Sequence, residues 1–292
     1  MTLERMTSLE VPAGTSWELI VVNNACTDNT SQVVDAFKGR LPVRRVNENR
    51  PGQSHARNRA VSEAAGRYIV WTDDDVLVDT DWLAAYLRAF NRHPEAAFFG
   101  GPIEPWFEGE PPEWLLRVLP RVASCYALRD FGTEPVPFDS PYGANFAVRT
   151  DVQKQHGFDP RFGLRQNGVM RGEEVRMIEK VLAAGHSGWW VPDARVRHFL
   201  PKSRQTVAYL RSYYRGVGEA SAVGGTFNGP HLFGVPRYLW LETARAELRY
   251  RTARLKGTPD LWIEALIVSG MLWGELKGWR AEHHNRRDGG RA

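Results

Sequence analysis

Asp73, Asp74 and Asp75 stand in a row directly after the apolar run Tyr68-Ile-Val-Trp-Thr. Three like charges at one point repel and raise each other's pKa unless a cation joins them. Hard divalent ions such as Mg2+ and Mn2+ take oxygen ligands and are usually held by one or two carboxylates together with substrate phosphates. The same row can equally be a solvated acidic turn, or a helix N-cap feeding Trp82-Leu-Ala-Ala-Tyr, since Asp is common in both. A second pair of acids, Glu173 and Glu174, opens the periodic stretch Val-Arg-Met-Ile-Glu-Lys-Val-Leu. A carboxylate placed there can take a proton as general base, and two acids in a first turn are also what the helix dipole favours. His198, in Val-Arg-His-Phe-Leu-Pro-Lys, is on the residues alone either a metal ligand or a structural imidazole.

These groups need a scaffold. Tyr68 to Thr72 is apolar, β-rich and ends at a polar break, the pattern of a central strand in an α/β sheet. Ligands of such sheets sit beyond the carboxyl ends of the strands, where the three aspartates fall. Upstream, Trp17-Glu-Leu-Ile-Val-Val is another strand, with Asn23, Asn24 and Asp28 at its tip. Pro51 to Gly66 predicts a helix with Ser54 as N-cap, an apolar stripe at Ala56, Ala60, Val61 and Ala64, and Gly66 as C-cap. Strand, polar tip, helix, strand, polar tip is a βαβ rhythm and predicts a parallel, doubly wound sheet.

The order of these motifs resembles the family-2 glycosyltransferases of GT-A fold. Glu-Leu-Ile-Val-Val-Asn-Asn-Ala-Cys-Thr-Asp-Asn-Thr is followed by Gly-Gln-Ser-His-Ala-Arg-Asn, then by Thr-Asp-Asp-Asp. Gly143-Ala-Asn145-Phe-Ala-Val-Arg149, Gly157-Phe-Asp159 and Gly172-Glu173-Glu174 come next in the same order, so the likeness runs from about Leu9 to about Gly218. The resemblance implies an α/β, GT-A type, mostly parallel sheet and an inverting transfer of a sugar from a nucleotide-diphosphate sugar to an acceptor hydroxyl. It implies a divalent metal, Mn2+ or Mg2+, with Asp73, Asp75 and His198 as ligands and Asp74 at the ribose. Asn23, Asn24, Asp28 and Arg57 fall where the nucleotide or its phosphates are held; Arg57 can also be a surface arginine, since Arg is mostly exposed. Glu174 matches the family's base, an Asp in its usual Gly-Glu-Asp element, so this chain carries one methylene more; Glu173 is the neighbouring choice. Arg204, Tyr213 and Arg215 are further residues able to close over a diphosphate.

Trp106-Phe-Glu-Gly-Glu-Pro-Pro-Glu-Trp114 is rich in aromatic rings and acids, which carbohydrate sites use against sugar C–H groups and hydroxyls. Trp106 and Asn145 are therefore assigned to the acceptor or donor-sugar pocket, against the reading that the loop's tryptophans pack on the core. The acceptor itself, a glycan, polysaccharide or lipid-linked sugar, is not encoded in any motif.

At 292 residues and 42% hydrophobic content, the chain can bury one sizeable α/β core plus an appendage. Two cysteines, Cys26 and Cys125, form no disulfide framework or zinc pattern and suit a reducing cytoplasm. No apolar leader opens the chain, and the run Ala265 to Trp273 is about half a membrane span. From Arg195 onward 17 Lys and Arg stand against 8 Asp and Glu, +9, which leaves −5 for the first 194 residues of a chain that totals +4. We therefore divide it into a catalytic domain at 1–223 and a basic helical extension at 224–292. In the last helix Leu261, Ala265, Val268, Leu272, Leu276 and Trp279 fall on one predicted face. Such a face packs on protein or lies on the inner, anionic surface of a membrane as a peripheral contact. Scattered basic residues without a recognition motif exclude nucleic acid as a partner.

The resemblance also implies a departure. Family members open with a strand, a turn and a long helix before the equivalent of Trp17 to Val22, whereas Met1 to Leu9 matches only the end of that helix. The first strand is central in such a sheet, so its absence predicts two unpaired strand edges or a rearranged sheet. Two function classes follow: a chain whose start lies about 30 residues upstream and that transfers sugar, or a truncated relative acting as a binding or scaffold subunit.

Overall fold

β-branched and aromatic runs form the strands where their spacing predicts them. The computed structural model describes residues 1–165, 168–170 and 172–288, with side chains at 1–163 and 172–283. One unit comprises Met1–Trp106, Tyr126–Asn167 and Glu173–Phe199; the other comprises Phe107–Cys125, Gly168–Gly172 and Leu200–Ala292.

In the first unit, strand Leu19–Asn24 pairs in parallel with Val43–Glu48, from Leu19 opposite Val43 to Asn24 opposite Glu48. A five-stranded sheet follows the order Tyr68–Thr72, Asn145–Arg149, Phe98–Gly100, Gly188–Trp190, Pro137–Phe138. Phe98–Gly100 and Gly188–Trp190 are parallel, while Asn145–Arg149 runs antiparallel to both of its neighbours. A third sheet joins Val76–Val78, Val196–Leu200 and Ile103–Phe107. Among the described residues no ladder links Leu19–Asn24 to Tyr68–Thr72, and the two unpaired edges that the resemblance predicts are both present.

Period-two alternation decides which side chains face which helix. Phe98, Phe146 and Val148 point to one side, where helix Glu173–Ala183 supplies Met177, Ile178 and Val181. Phe99 and Ala147 point to the other, where helix Trp82–Arg92 supplies Trp82, Tyr86 and Phe90. Tyr68 stacks on Phe90 with ring centroids 3.7 Å apart and planes 6° from parallel. Helices on both faces of one sheet make the doubly wound α/β architecture.

The second unit is helical, built on Val207–Ser221, Arg237–Leu255 and Pro259–Asp288. A Cβ on Gly218 would run into the carbonyl of Met271, so the first and third helices meet backbone to backbone. Burial would raise the Glu247 carboxyl, but donors from Ser269, Arg251 and Arg211 outweigh it and hold it at about 2. The predicted apolar face of the last helix is corrected here. Leu261 and Val268 are exposed, and the buried set is Trp262, Ile263, Leu266, Leu276 and Trp279. That helix packs on both of the others, which widens its buried arc beyond one stripe. Among the described residues no helix is long and apolar enough to cross a membrane.

Candidate active site

The aspartate row is the turn at which the chain leaves one sheet for another. Tyr68–Thr72 ends at Asp73, and Val76 and Val78, fully buried in the next sheet, pull the chain away again. The backbone oxygen of Asp75 accepts from Phe199 N at 2.9 Å, and that of Asp74 accepts from Thr2 Oγ1 at 2.6 Å. The side chain of Asp74 is exposed.

Antiparallel pairing then sets His198 opposite Val76, one residue from Asp75. His198 Nε2 lies 3.4 Å from Asp75 Oδ1, and its Nδ1 lies 2.9 Å from the Tyr126 carbonyl oxygen. A carbonyl only accepts, so Nδ1 carries the proton and Nε2 is turned to the carboxylate. Burial alone would lower this imidazole's pKa, yet the Asp75 carboxylate outweighs it and the net shift is upward. An imidazole oriented by a backbone carbonyl, with its other nitrogen beside a carboxylate, is the chemistry of a divalent-metal donor pair. Among the described residues no group of three or more His, Cys, Asp and Glu is gathered to hold a metal. The donors fit an ion that shares its shell with phosphate oxygens rather than one caged by protein.

A guanidinium organises the acids. Helix Gln53–Glu63 buries Ser54, Arg57, Ala60 and Val61, so Arg57 lies on its inner face and is 7% exposed. Arg57 Nη1 donates to Glu173 Oε1 at 3.1 Å, and Nη2 lies 3.5 Å from Asp73 Oδ1. The guanidinium also sits over the Phe158 ring, 5.4 Å from its centroid. A Cβ on Gly143 would come within 2.5 Å of Nη2, so this approach requires glycine. Burial raises the Asp73 carboxyl and Asp75 adds to the rise, against the pull of Arg57. Glu173 is raised to about 7, first by burial and then by the Glu174 charge. Glu174 is half-buried, and its Oε2 is buried without a hydrogen-bond partner among the described residues. Asp73, Asp75, His198, Arg57, Glu173 and Glu174 thus form one electrostatic cluster.

The other predicted residues lie elsewhere. Asn23 accepts from Cys26 N at 3.0 Å and donates to Ser31 Oγ at 2.8 Å. Asn24 donates to the carbonyls of Glu48 and Arg50 and accepts from Gly52 N at 2.7 Å, tying two loops together. Asp28 accepts from Thr30 N and Thr30 Oγ1 at the start of helix Thr30–Asp35. Trp106 is half-buried, edge-on to Phe199 with ring centroids 5.0 Å apart. Asn145 is 1% exposed and its amide is saturated. It accepts from Trp82 Nε1 and Tyr86 OH and donates to the carbonyls of Pro102 and Ala194. No polar atom of Asn145 is left for a sugar, which corrects its assignment to the substrate pocket. In the helical unit, Tyr213 OH donates to the Ser124 carbonyl at 2.7 Å.

A carboxylate turn at a strand end, a carbonyl-oriented histidine and a pair of acids at a helix start thus lie in one cluster. The family described as "Glycosyl transferase family 2" matches residues 2–154. This chain belongs to glycosyl transferase family 2. The chain is 24% identical over 215 residues to succinoglycan biosynthesis protein ExoM of Rhizobium meliloti (strain 1021), covering 72% of this chain and 65% of that protein. It is 29% identical over 103 residues to poly-beta-1,6-N-acetyl-D-glucosamine synthase of Staphylococcus epidermidis, covering 35% of this chain and 24% of that one. The chain therefore spans less than two thirds of the length of either relative. Its GT-A fold is similar to that of the mannosyltransferase PcManGT from Pyrobaculum calidifontis, solved with GDP-Man and Mn2+. The TM-score is 0.60 at 20% identity, over 95% of this chain and 81% of that chain.

Around this cluster lie hydrogen bonds that sequence reasoning did not foresee. Asn58 clamps the Gly157-Phe158 backbone, donating to Phe158 O at 2.7 Å and accepting from Phe158 N at 2.9 Å. Ser54 is inside the helix rather than its cap, and its hydroxyl donates to Phe162 O at 2.7 Å. Gln53, with its amide nitrogen turned to Glu173 Oε1 at 2.9 Å, accepts from Arg57 Nη2 at 3.1 Å. All three sit in the Gly-Gln-Ser-His-Ala-Arg-Asn motif, whose density of hydrogen-bonding side chains on a helix was the available signal.

Proposed function

We propose that this glycosyltransferase moves a sugar from a nucleotide-diphosphate sugar to the hydroxyl of a glycan or lipid-linked acceptor, with inversion. Residues 1–223 are the catalytic domain and 224–292 its helical extension in this reading. The observation that carries it is the Glu174 oxygen: a buried carboxylate atom without a hydrogen-bond partner among the described residues, in the same cluster as the aspartate turn. Glu174 takes the proton of the acceptor hydroxyl as that oxygen bonds to the anomeric carbon, and the bond from that carbon to the diphosphate breaks on the opposite side. Arg57 fixes Glu173 and Asp73 by charge-assisted contacts, which holds the base and the aspartate turn in register. Asp75 and His198, with Asp73 beside them, are the residues that would hold Mn2+ or Mg2+. That ion supplies charge neutralisation at the leaving diphosphate. The similarity to an enzyme solved with GDP-Man and Mn2+, and to proteins of polysaccharide synthesis, supports this donor and acceptor class.

The test is nucleotide release from UDP-sugars and GDP-sugars with and without Mn2+. Release from at least one donor, dependent on the metal and lost in Glu174→Gln, is expected. A chain that releases nothing and shows no metal-dependent nucleotide affinity is instead a binding subunit.

A further inference from the structure

Helix Arg237–Leu255 has two dissimilar faces. Leu239, Thr243, Ala246, Glu247 and Tyr250 are buried against its own unit. The opposite side carries Leu241, Leu248 and Leu255, seven residues apart and 53%, 64% and 87% exposed. Seven-residue spacing drifts by only about 20° per repeat on a straight helix, so the three leucines form one stripe. Tyr238, half exposed, extends it toward the N-terminus. Just ahead, a hairpin of His231–Leu232 and Val235–Pro236 carries Phe233 at its tip, 77% exposed and at φ 53°. A bulky aromatic residue in the left-handed region is strained, and here burial does not recompense it.

Charge identifies what covers the stripe. Arg237, Arg245, Arg249, Arg251 and Arg254 on this helix and Lys256 at its C-cap are all exposed, against Glu242 as its exposed acid. A second copy brought face to face would set these cations against their own kind, whereas an anionic surface would attract them. An apolar stripe flanked by arginines, on a helix too short and too polar to span, is the form of an interfacial helix.

We propose that this face docks on an anionic lipid bilayer. The helix, about 28 Å long at 1.5 Å per residue, lies flat, with Leu241, Leu248, Leu255 and Phe233 entering the acyl boundary and the arginines at the headgroups. This inference concerns binding alone and stands independently of the donor site.

The test is flotation of the full chain with vesicles of phosphatidylcholine and with vesicles of equal parts phosphatidylcholine and phosphatidylglycerol. Flotation with the anionic vesicles only, weakened by high salt, is expected. Leu248→Ser with Leu255→Ser should lower partitioning by about a hundredfold, roughly tenfold for each apolar side chain removed. Arg249→Glu with Lys256→Glu should lower it by at least about twentyfold. Because all four side chains are exposed, circular dichroism and the melting temperature should not change. The proposal is overturned if the chain does not float with anionic vesicles or if the serine variant floats undiminished. A dimer in sedimentation, dispersed by the serine substitutions, would also overturn it by assigning the stripe to a second copy.

Discussion

Replacing Arg57 by methionine isolates the interaction on which the site is built. The side chain is 7% exposed and Glu173 is 5% exposed, so water screens their contact little. At 3.1 Å to Glu173 and 3.5 Å to Asp73, each contact is worth about 5 kcal/mol at an effective dielectric of about 20 before desolvation. Desolvation consumes much of that, and removing one partner of a buried pair costs about 3–5 kcal/mol. Arg57→Met should lose that amount at pH 8, read by urea unfolding through tryptophan fluorescence. The loss should shrink by about 1 kcal/mol at pH 5.5, because only about one pH unit separates pH 8 from the Glu173 pKa of about 7. Glu173, already raised to about 7, rises further without its cation and escapes the penalty by taking a proton. Adding Glu173→Leu should restore at least half of the loss, because the stranded charge is then gone. A loss below about 1 kcal/mol at pH 8, or a double variant no better than the single one, would refute the claim that this pair anchors the site.

Other substitutions follow from the same geometry. Glu174→Gln should preserve nucleotide affinity and lower turnover by about two to four orders of magnitude; turnover within tenfold of wild type would move the base elsewhere. Asn145→Ala leaves the Trp82 indole, the Tyr86 hydroxyl and two carbonyls without their buried partner, so calorimetric unfolding should show a loss of about 3–5 kcal/mol. Glu173 has its folded pKa raised, so the stability it contributes is fully present below about 4.5 and is lost as pH rises through about 7. Relative to Glu173→Gln, the wild type should therefore lose up to about 3 kcal/mol between pH 4.5 and pH 8, measured as a shift in urea midpoint.

Strand positions and the aspartate turn were legible because they depend on local pattern: β-branched runs, polar breaks and three consecutive acids. His198 could be singled out only through motif order, since its place beside Asp75 arises from a strand register with Val76, 122 positions away in sequence. Two things were not legible. Periodicity does not encode strand direction, so the βαβ rhythm at the start of the chain gave no sign that Asn145–Arg149 would run antiparallel to Tyr68–Thr72. A polar side chain in a motif looks the same whether it faces a ligand or tethers the fold, and the buried Asn145 amide is spent on tethers. Arg57 was offered as a phosphate contact or a surface residue; its burial depends on Glu173, 116 positions on, which no local window contains.

That long-range dependence explains why position 57 needs arginine. The two carboxylates are reached from different nitrogens, Glu173 from Nη1 and Asp73 from Nη2. A planar fork serves both at once, while an ammonium is a point charge that can sit against one. Arg57→Lys keeps the charge and removes the fork, so its stability loss should be smaller than that of Arg57→Met, about 1–2 kcal/mol. Its effect on turnover should be larger than that stability loss alone would suggest. Glu174 directly follows the residue that Arg57 holds, and a displacement of about 1 Å in a reacting group can cost about a hundredfold. The expected signature is a kcat reduced by about a hundredfold at nearly unchanged nucleotide affinity, in a protein that still unfolds cooperatively. Wild-type kcat in a folded Arg57→Lys variant would show that Glu174 is positioned by its own helix and that Arg57 serves stability alone.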